Sequence, residues 1–169
     1  VADYDLDGID EVRLGTLGQG VLVDTAEGAG IGSWDLRAGR VALASVLRRR
    51  PEAYHEALRL MESKRASRKD ATNPHETWMT KEEGLSRYLV YDEHERRSGL
   101  VRLLSSEGTE VGDFVSGEWQ LEAAAAREAT LSRQADGLRV RKTIGVSGRR
   151  LEGSLALEVE VRNTGQATV

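Results

Sequence analysis

Near the C-terminal end, mostly apolar positions alternate with basic, acidic or small residues, and this pattern sets the class of fold. Successive side chains of a β-strand point to opposite faces, so a strand buried on one face shows a period of two. Two segments have this period, and each predicts a half-buried strand. Their inward positions are Leu138, Val140, Lys142 and Ile144 in the first segment, and Leu155, Leu157, Val159 and Val161 in the second.

Short apolar segments separated by turn residues extend the β pattern to the rest of the chain. The sequence contains 18 glycines, and several of them separate apolar segments within the first forty residues. Glycine in such positions is typical of turns between strands. Further strands are predicted at 11–14, 21–24, 31–36, 86–92, 100–104, 118–124 and 127–133.

One helix interrupts the strands. Pro51 suits the first turn of a helix, and apolar residues recur at helical spacing from Ala53 to about Ser63. The polar segment 64–80, which contains Pro74, predicts a mobile surface loop. The expected fold is therefore mainly β: a single domain over residues 1–169, built as an antiparallel β-sandwich with one helical insertion.

Composition excludes several classes of protein. Charged residues make up 31% of the chain and its apolar runs are short, which excludes a membrane-spanning helix. The formal net charge of −4 provides no positive field for nucleic acid. Cysteine is absent, so disulfides and thiolate metal sites are excluded. The opening Val1-Ala2-Asp3 has neither an initiator Met nor a signal stretch, which predicts a piece of a longer protein, and we expect that protein in the cytoplasm.

The acidic opening has the spacing of the first half of a calcium-binding loop. Three carboxylates at alternate positions are followed by Gly8, which permits a tight turn, while Leu14 stands where an EF-hand requires a glutamate. Hard oxygen ligands favour Ca²⁺ over Zn²⁺. An acidic, solvated hairpin turn is the alternative interpretation. The predicted calcium ligands are the side chains of Asp3, Asp5, Asp7 and Glu11 and the carbonyl of Ile9.

Three stretches resemble the C-terminal domain of the α-amylases and 4-α-glucanotransferases of glycoside hydrolase family 57. They occur in the order found in that family and cover about residues 3–104, with weaker similarity beyond. One departure is the run 97–103, where such domains have an Asp-His-Phe run after an Arg-Ser pair. The three stretches are Asp3 to Glu11 with Glu27-Gly28-Ala29-Gly30 and Trp34-Asp35-Leu36, then Arg49-Arg50-Pro51-Glu52-Ala53-Tyr54-His55, and finally His75 with Lys81 to Leu85 and Tyr88 to Asp92.

The resemblance implies a sandwich similar to the galactose-mutarotase-like supersandwich, packed against an N-terminal catalytic barrel. It also implies that the catalytic carboxylates lie on that barrel and that the sandwich in this chain is incomplete. No catalytic residue is therefore predicted here. A pair such as Glu82 and Glu83 would point to opposite faces of an extended segment.

Three functions remain as alternatives. The first is an accessory domain that supports the barrel and lines the approach of α-glucan chains, and the second is an autonomous carbohydrate-binding module. The third, a sugar epimerase, rests on fold analogy alone. Trp78, after the polar loop, and Glu82 are the predicted substrate contacts, because an exposed indole can stack on a sugar ring. Trp34 and Trp119 are each either a stacking face or a core residue, and Trp34, in an apolar strand, is expected to be buried. His55 is predicted as a packing or hydrogen-bonding residue of the helix.

Overall fold

The computed structural model describes residues 1–44, 47–67, 82 and 84–165, and for residues 64–67 it describes the backbone alone. The predicted mainly β, antiparallel fold is confirmed, with two four-stranded sheets and one α-helix in the described part of the chain. The residues group into two compact units. Unit 1 comprises Val1–Leu47 and His94–Val169, and unit 2 comprises Arg48–Glu93.

The first sheet of unit 1 is an antiparallel meander in the order β1-β2-β3-β4. Its strands are β1 (Val12–Gly15), β2 (Gln19–Asp24), β3 (Gly30–Leu36) and β4 (Val41–Ala44). The β1–β2 hairpin pairs Val12 with Val23, so the apolar residues of both strands share one face.

The second sheet is also a meander, in the order β5-β6-β7-β8. Its strands are β5 (Gln120–Ala124), β6 (Glu128–Ala135), β7 (Leu138–Arg149) and β8 (Glu152–Asn163). The two alternating segments of the sequence are β7 and β8. They pair without a shift of register over their full length, from Leu138 opposite Asn163 to Arg149 opposite Glu152.

The apolar faces of the two sheets contribute to one core, which is the arrangement of a β-sandwich. This core contains Val12 and Leu14 of β1 together with Leu131 of β6 and Ile144 of β7. Phe114 and Trp119, from the segment before β5, meet edge to face within it, with ring centroids 6.3 Å apart. Trp119 therefore fills the core, which is one of the two roles that the sequence left open for it, and Trp34 is half-buried against the same core.

Unit 2 contains helix α1 (Ala53–Ser67) and a 3₁₀ helix (Leu85–Tyr88). The buried His55 accepts a hydrogen bond from the backbone N–H of Glu52 at Nδ1, 3.1 Å away, which confirms its predicted structural role. The helix runs four residues past Ser63, into the segment predicted as a mobile loop. The rest of that segment, 68–80, lies outside the described residues, and no described helix is both long and apolar enough to span a bilayer.

Two predicted strands are wrong, and one strand was missed. Segment 86–92 begins in the 3₁₀ helix, because Gly84 adopts a left-handed conformation (φ 71°) that turns the chain. Segment 100–104 forms a single bridge, from Leu104 to Glu110, since its apolar side chains pack on the core without a neighbouring strand. Strand β4 was missed because its residues, Val-Ala-Leu-Ala, are all apolar and show no alternation with polar side chains; the strand pairs with β3 and is largely exposed.

Candidate functional site

The four acidic side chains predicted as calcium ligands lie close together at the start of unit 1. Each offers one carboxylate oxygen to a group whose members all lie within 4.8 Å of one another: Asp3, Asp5, Asp7 and Glu11. We call residues 3–11 the acidic loop. Carboxylates this close repel one another strongly unless a cation or water offsets their charge. No ion pair within the described part of the chain involves any of the four.

Backbone N–H groups of the loop hold the aspartates in place. Asp3 accepts from the N–H of Asp7 at 3.2 Å and of Gly8 at 3.0 Å, and Asp7 accepts from the N–H of Ile9 at 2.8 Å. The turn requires left-handed backbone at Gly8 (φ 93°) and also at Leu6 (φ 65°). Asp5 also accepts from the N–H of Asp7, at 3.2 Å, so backbone N–H groups hold all three aspartates at one turn.

Glu11 closes the loop and is the one buried member of the group. Its backbone pairs with that of Ala2, and its Oε2 accepts from the N–H of Tyr4 at 2.6 Å. The residue is 2% exposed, yet its Oε1 has no hydrogen-bond partner in the structure. Burial raises the pKa of Glu11, and the carboxylates of Asp5, Asp24 and Asp7 raise it further, against the lowering effect of the Tyr4 hydrogen bond.

The two predicted substrate contacts both belong to unit 2, and only one of them is among the described residues. Trp78 lies outside the described residues, and Glu82 is exposed at a bend in unit 2. Trp34 donates its indole N–H to Oε1 of the buried Gln19, 2.9 Å away. Trp119 is buried and Trp34 is half-buried, so neither is a fully exposed indole.

Comparison with known proteins decides the family. The family model described as "Alpha-amylase/4-alpha-glucanotransferase, C-terminal" matches residues 3–168. The chain belongs to this family. The resemblance found in the sequence motifs is thereby confirmed, because the region matched to the α-amylase/4-α-glucanotransferase C-terminal domain includes all three stretches.

Two relatives show how much of a full protein the domain represents. The chain is 34% identical over 107 residues to Alpha-amylase 1 of Dictyoglomus thermophilum, covering 63% of this chain and 15% of the relative. The crystal structure of 4-alpha-glucanotransferase from Thermococcus litoralis matches 95% of this chain and 25% of its own length, with a TM-score of 0.66 and 23% identity. The latter likeness shows the fold, and in both cases most of the relative lies outside the matched region.

Within this C-terminal domain, the departure from the family pattern at 97–103 begins with a structural ion-pair network. Arg97 Nη2 lies 2.6 Å from Asp24 and 3.0 Å from Glu95, and its Nε lies 3.3 Å from Glu27. Ser98 forms the bridge to Ile31 of β3. These contacts tie the run to the first sheet.

Sequence reasoning missed two kinds of polar feature in the domain. Lys142, predicted only as an inward position of a strand, is fully buried and donates to the carbonyls of Gly28 at 2.6 Å and Gly99 at 2.7 Å. Tyr54 and Tyr88 of unit 2 are 60% and 65% exposed, and so they offer exposed aromatic surface of the kind predicted for a tryptophan. The Tyr-His pair and the Arg-Tyr pair in the sequence were the available signals for these tyrosines.

Proposed function

We propose that this domain is a non-catalytic accessory domain of an α-glucan-processing enzyme and packs against the rest of its parent protein through β8. The observation that carries the proposal is the exposed apolar face of that strand. Leu157, Val159 and Val161 are 38%, 40% and 48% exposed. Apolar surface gathered along one strand is typical of a surface that another part of a protein covers.

The register explains why this surface is unusual. Val161 lies opposite Val140 of β7, and Leu157 lies opposite Ile144, so the exposed side chains share the face of the sheet that carries the core. Their β7 partners are fully buried. In the described part of the chain, the core-side face of the sheet is therefore covered at β7 and largely exposed at β8.

Strand β8 also ends the sheet order, so its outer edge pairs with no strand in the ranges that the structure describes. A long edge strand with an apolar face favours association with other chain segments. The matched region accounts for 15% and 25% of the two relatives, which leaves ample chain in such proteins to provide a cover. The names of these relatives support an α-amylase or 4-α-glucanotransferase as the parent, with the catalytic barrel as the partner of this domain.

Substituting the exposed face of β8 tests the packing role. In the isolated chain Val159→Thr/Val161→Thr changes the free energy of unfolding by less than about 0.5 kcal/mol, because the side chains are exposed and threonine suits a strand. In the full parent protein the same pair lowers stability by about 1–3 kcal/mol, because the hydroxyls become buried. Glu158→Gln, on the opposite face of the same strand, is the control, and it changes the stability of neither the isolated chain nor the parent protein. Equal effects in both proteins would contradict the proposal.

An amylose assay tests the absence of catalysis. We expect the isolated chain to leave amylose and maltooligosaccharides unchanged, while the full parent protein processes them. Turnover by the isolated chain that disappears in Glu82→Gln would show that the chain carries its own active site.

An autonomous carbohydrate-binding module is the second candidate, and the exposed Tyr54 and Tyr88 are the observation that favours it. Because few aromatic faces are available, we expect maltoheptaose to bind with a Kd nearer millimolar than micromolar. Titration followed by intrinsic fluorescence measures this. Micromolar, saturable binding that is lost in Tyr54→Ala, Trp78→Ala or Tyr88→Ala would instead support a binding module.

A further inference from the structure

We propose that the acidic loop is a Ca²⁺ site, formed by carboxylate oxygens of Asp3, Asp5, Asp7 and Glu11 and by the backbone carbonyl of Ile9. The four carboxylates already lie within 4.8 Å of one another, on a backbone turn that their own hydrogen bonds hold. This site is independent of glycan processing and of the β8 surface.

The buried, unpartnered oxygen of Glu11 distinguishes this loop from an ordinary acidic turn. A buried carboxylate oxygen without a partner carries a desolvation penalty, and folded proteins rarely leave one unmatched. Glu11 is 2% exposed, and its Oε1 lacks a donor although its Oε2 is bound by the Tyr4 N–H. A bound cation supplies the missing partner for Oε1 and offsets the charge of the three aspartates.

The donor set selects the kind of cation. Four carboxylates and a carbonyl are hard oxygen donors, which suit Ca²⁺ and do not suit Zn²⁺, an ion that favours nitrogen and sulfur. Mg²⁺ requires near-ideal octahedral geometry and keeps most of its water, whereas Ca²⁺ accepts six to eight oxygens in flexible arrangements. Asp5 and Asp7 are exposed, so water completes the coordination on that side.

The ion has a structural role, because it joins two segments. Asp3, Asp5 and Asp7 belong to the turn, whereas Glu11 immediately precedes β1, whose first residue Val12 is in the core. Binding therefore couples the first turn of the chain to the first strand of the sandwich. A ligand that binds only the folded form raises stability by mass action.

Thermal unfolding in Ca²⁺ and in EDTA tests the site. We expect Ca²⁺ at about a hundred times its Kd to raise the Tm of the chain by roughly 5–10 °C. Asp5→Asn/Asp7→Asn removes two exposed ligands without disturbing the core and abolishes the rise. The matched control is Asp10→Asn, which makes the same change of charge at an exposed residue of the same loop outside the group of four, and it retains the rise.

Terbium luminescence provides a second measurement. Tb³⁺ takes the oxygen ligands of Ca²⁺, and Tyr4 lies within the loop to transfer excitation to it. We expect sensitised Tb³⁺ emission, and we expect Ca²⁺ to remove it by displacing Tb³⁺. Tyr4→Phe weakens the emission, and it is absent from Glu11→Gln and from Asp5→Asn/Asp7→Asn. An unchanged Tm in both buffers, or an equal rise in Asp5→Asn/Asp7→Asn, would overturn the proposal and leave the loop as an acidic turn.

Discussion

Lys142 occupies a position that apolar residues hold elsewhere on β7. Its ammonium donates to the carbonyls of Gly28 and Gly99 and lies 4.5 Å from the centre of the Trp119 ring. Both kinds of contact favour the charged form, and so they limit the effect of burial. The side chain thus joins β7 to a turn and a loop that the sandwich would otherwise leave with unmatched carbonyls.

The burial of Lys142 predicts a dependence of stability on alkaline pH. Burial lowers the pKa of Lys142 from 10.5 to about 8. Between these values the unfolded chain holds a proton that the folded chain has released, so the free energy of unfolding rises with pH, by at most about 1.4 kcal/mol per pH unit. Chemical unfolding at pH values of about 7.5, 9 and 10 measures the rise, and Lys142→Met lacks it. Parallel pH profiles for the two chains would refute the assignment.

Residues whose neighbours are close in sequence were predictable, and those with distant neighbours were not. The spacing of Asp3, Asp5 and Asp7 is local, so the sequence alone predicts that they converge. The buried oxygen of Glu11 depends on tertiary packing and leaves no local signal. The acceptors of Lys142 come from positions 28 and 99, far from β7, so the pattern marks the residue as inward but cannot identify its partners.

At the level of elements, one carboxylate of β5 joins two arginines of β7. Glu122 accepts from Arg139 at 2.7 Å and from Arg141 at 2.8 Å. Because β6 lies between these strands, the ion pairs cross the outer face of the sheet. Hydrogen bonds from the Ser132 hydroxyl, Arg141 and Arg139 lower the pKa of Glu122 to about 2.

Acid unfolding measures how much the ion pairs of Glu122 contribute to stability. The contribution of Glu122 is complete above its unfolded pKa of 4.5 and is lost as pH falls toward 2, because the carboxylate must then be protonated. After solvent screening we expect about 1 kcal/mol. The difference in stability between the unmodified chain and Glu122→Gln therefore shrinks over this range. Glu107→Gln, the same substitution in an exposed loop, serves as the comparison.

Strands were predictable where large apolar residues alternate with polar or small ones, whether the structure covers the apolar face, as in β7, or leaves it exposed, as in β8. The alternation of β7 and β8 gave both strands, although the structure extends each beyond the alternating residues. Segment 86–92 contains a short continuous apolar run at 88–91, but the left-handed Gly84 starts a 3₁₀ turn instead. Strand β4 was missed because Val41 to Ala44 are all apolar, so no polar side chain alternates with them, although Val41 and Leu43 are 48% and 50% exposed. The likeness to the mutarotase supersandwich stays a prediction.

At the level of the whole molecule, unit 1 has one core that both sheets share. We expect Leu131→Ala, at a fully buried position of β6, to lower the free energy of unfolding by about 2–5 kcal/mol. Because the core is shared, amide protection in β2 and β7 should fall together by hydrogen exchange. Leu17→Ala, at a residue 85% exposed, is the control and costs less than about 0.5 kcal/mol. Loss of protection in one sheet alone would show that the sheets are separate cooperative units.

The sequence of unit 2 interrupts that of unit 1, and this order along the chain has a consequence for synthesis on the ribosome. The first sheet is complete by Ala44, but the strands that cover its apolar face, β6 and β7, follow about 85 residues or more later in the chain. At about 5–20 residues per second, Leu14 and Val21 remain without their partners for several seconds. A nascent chain in this state exposes a β-sheet with a bare apolar face, which is the kind of surface that chaperones bind.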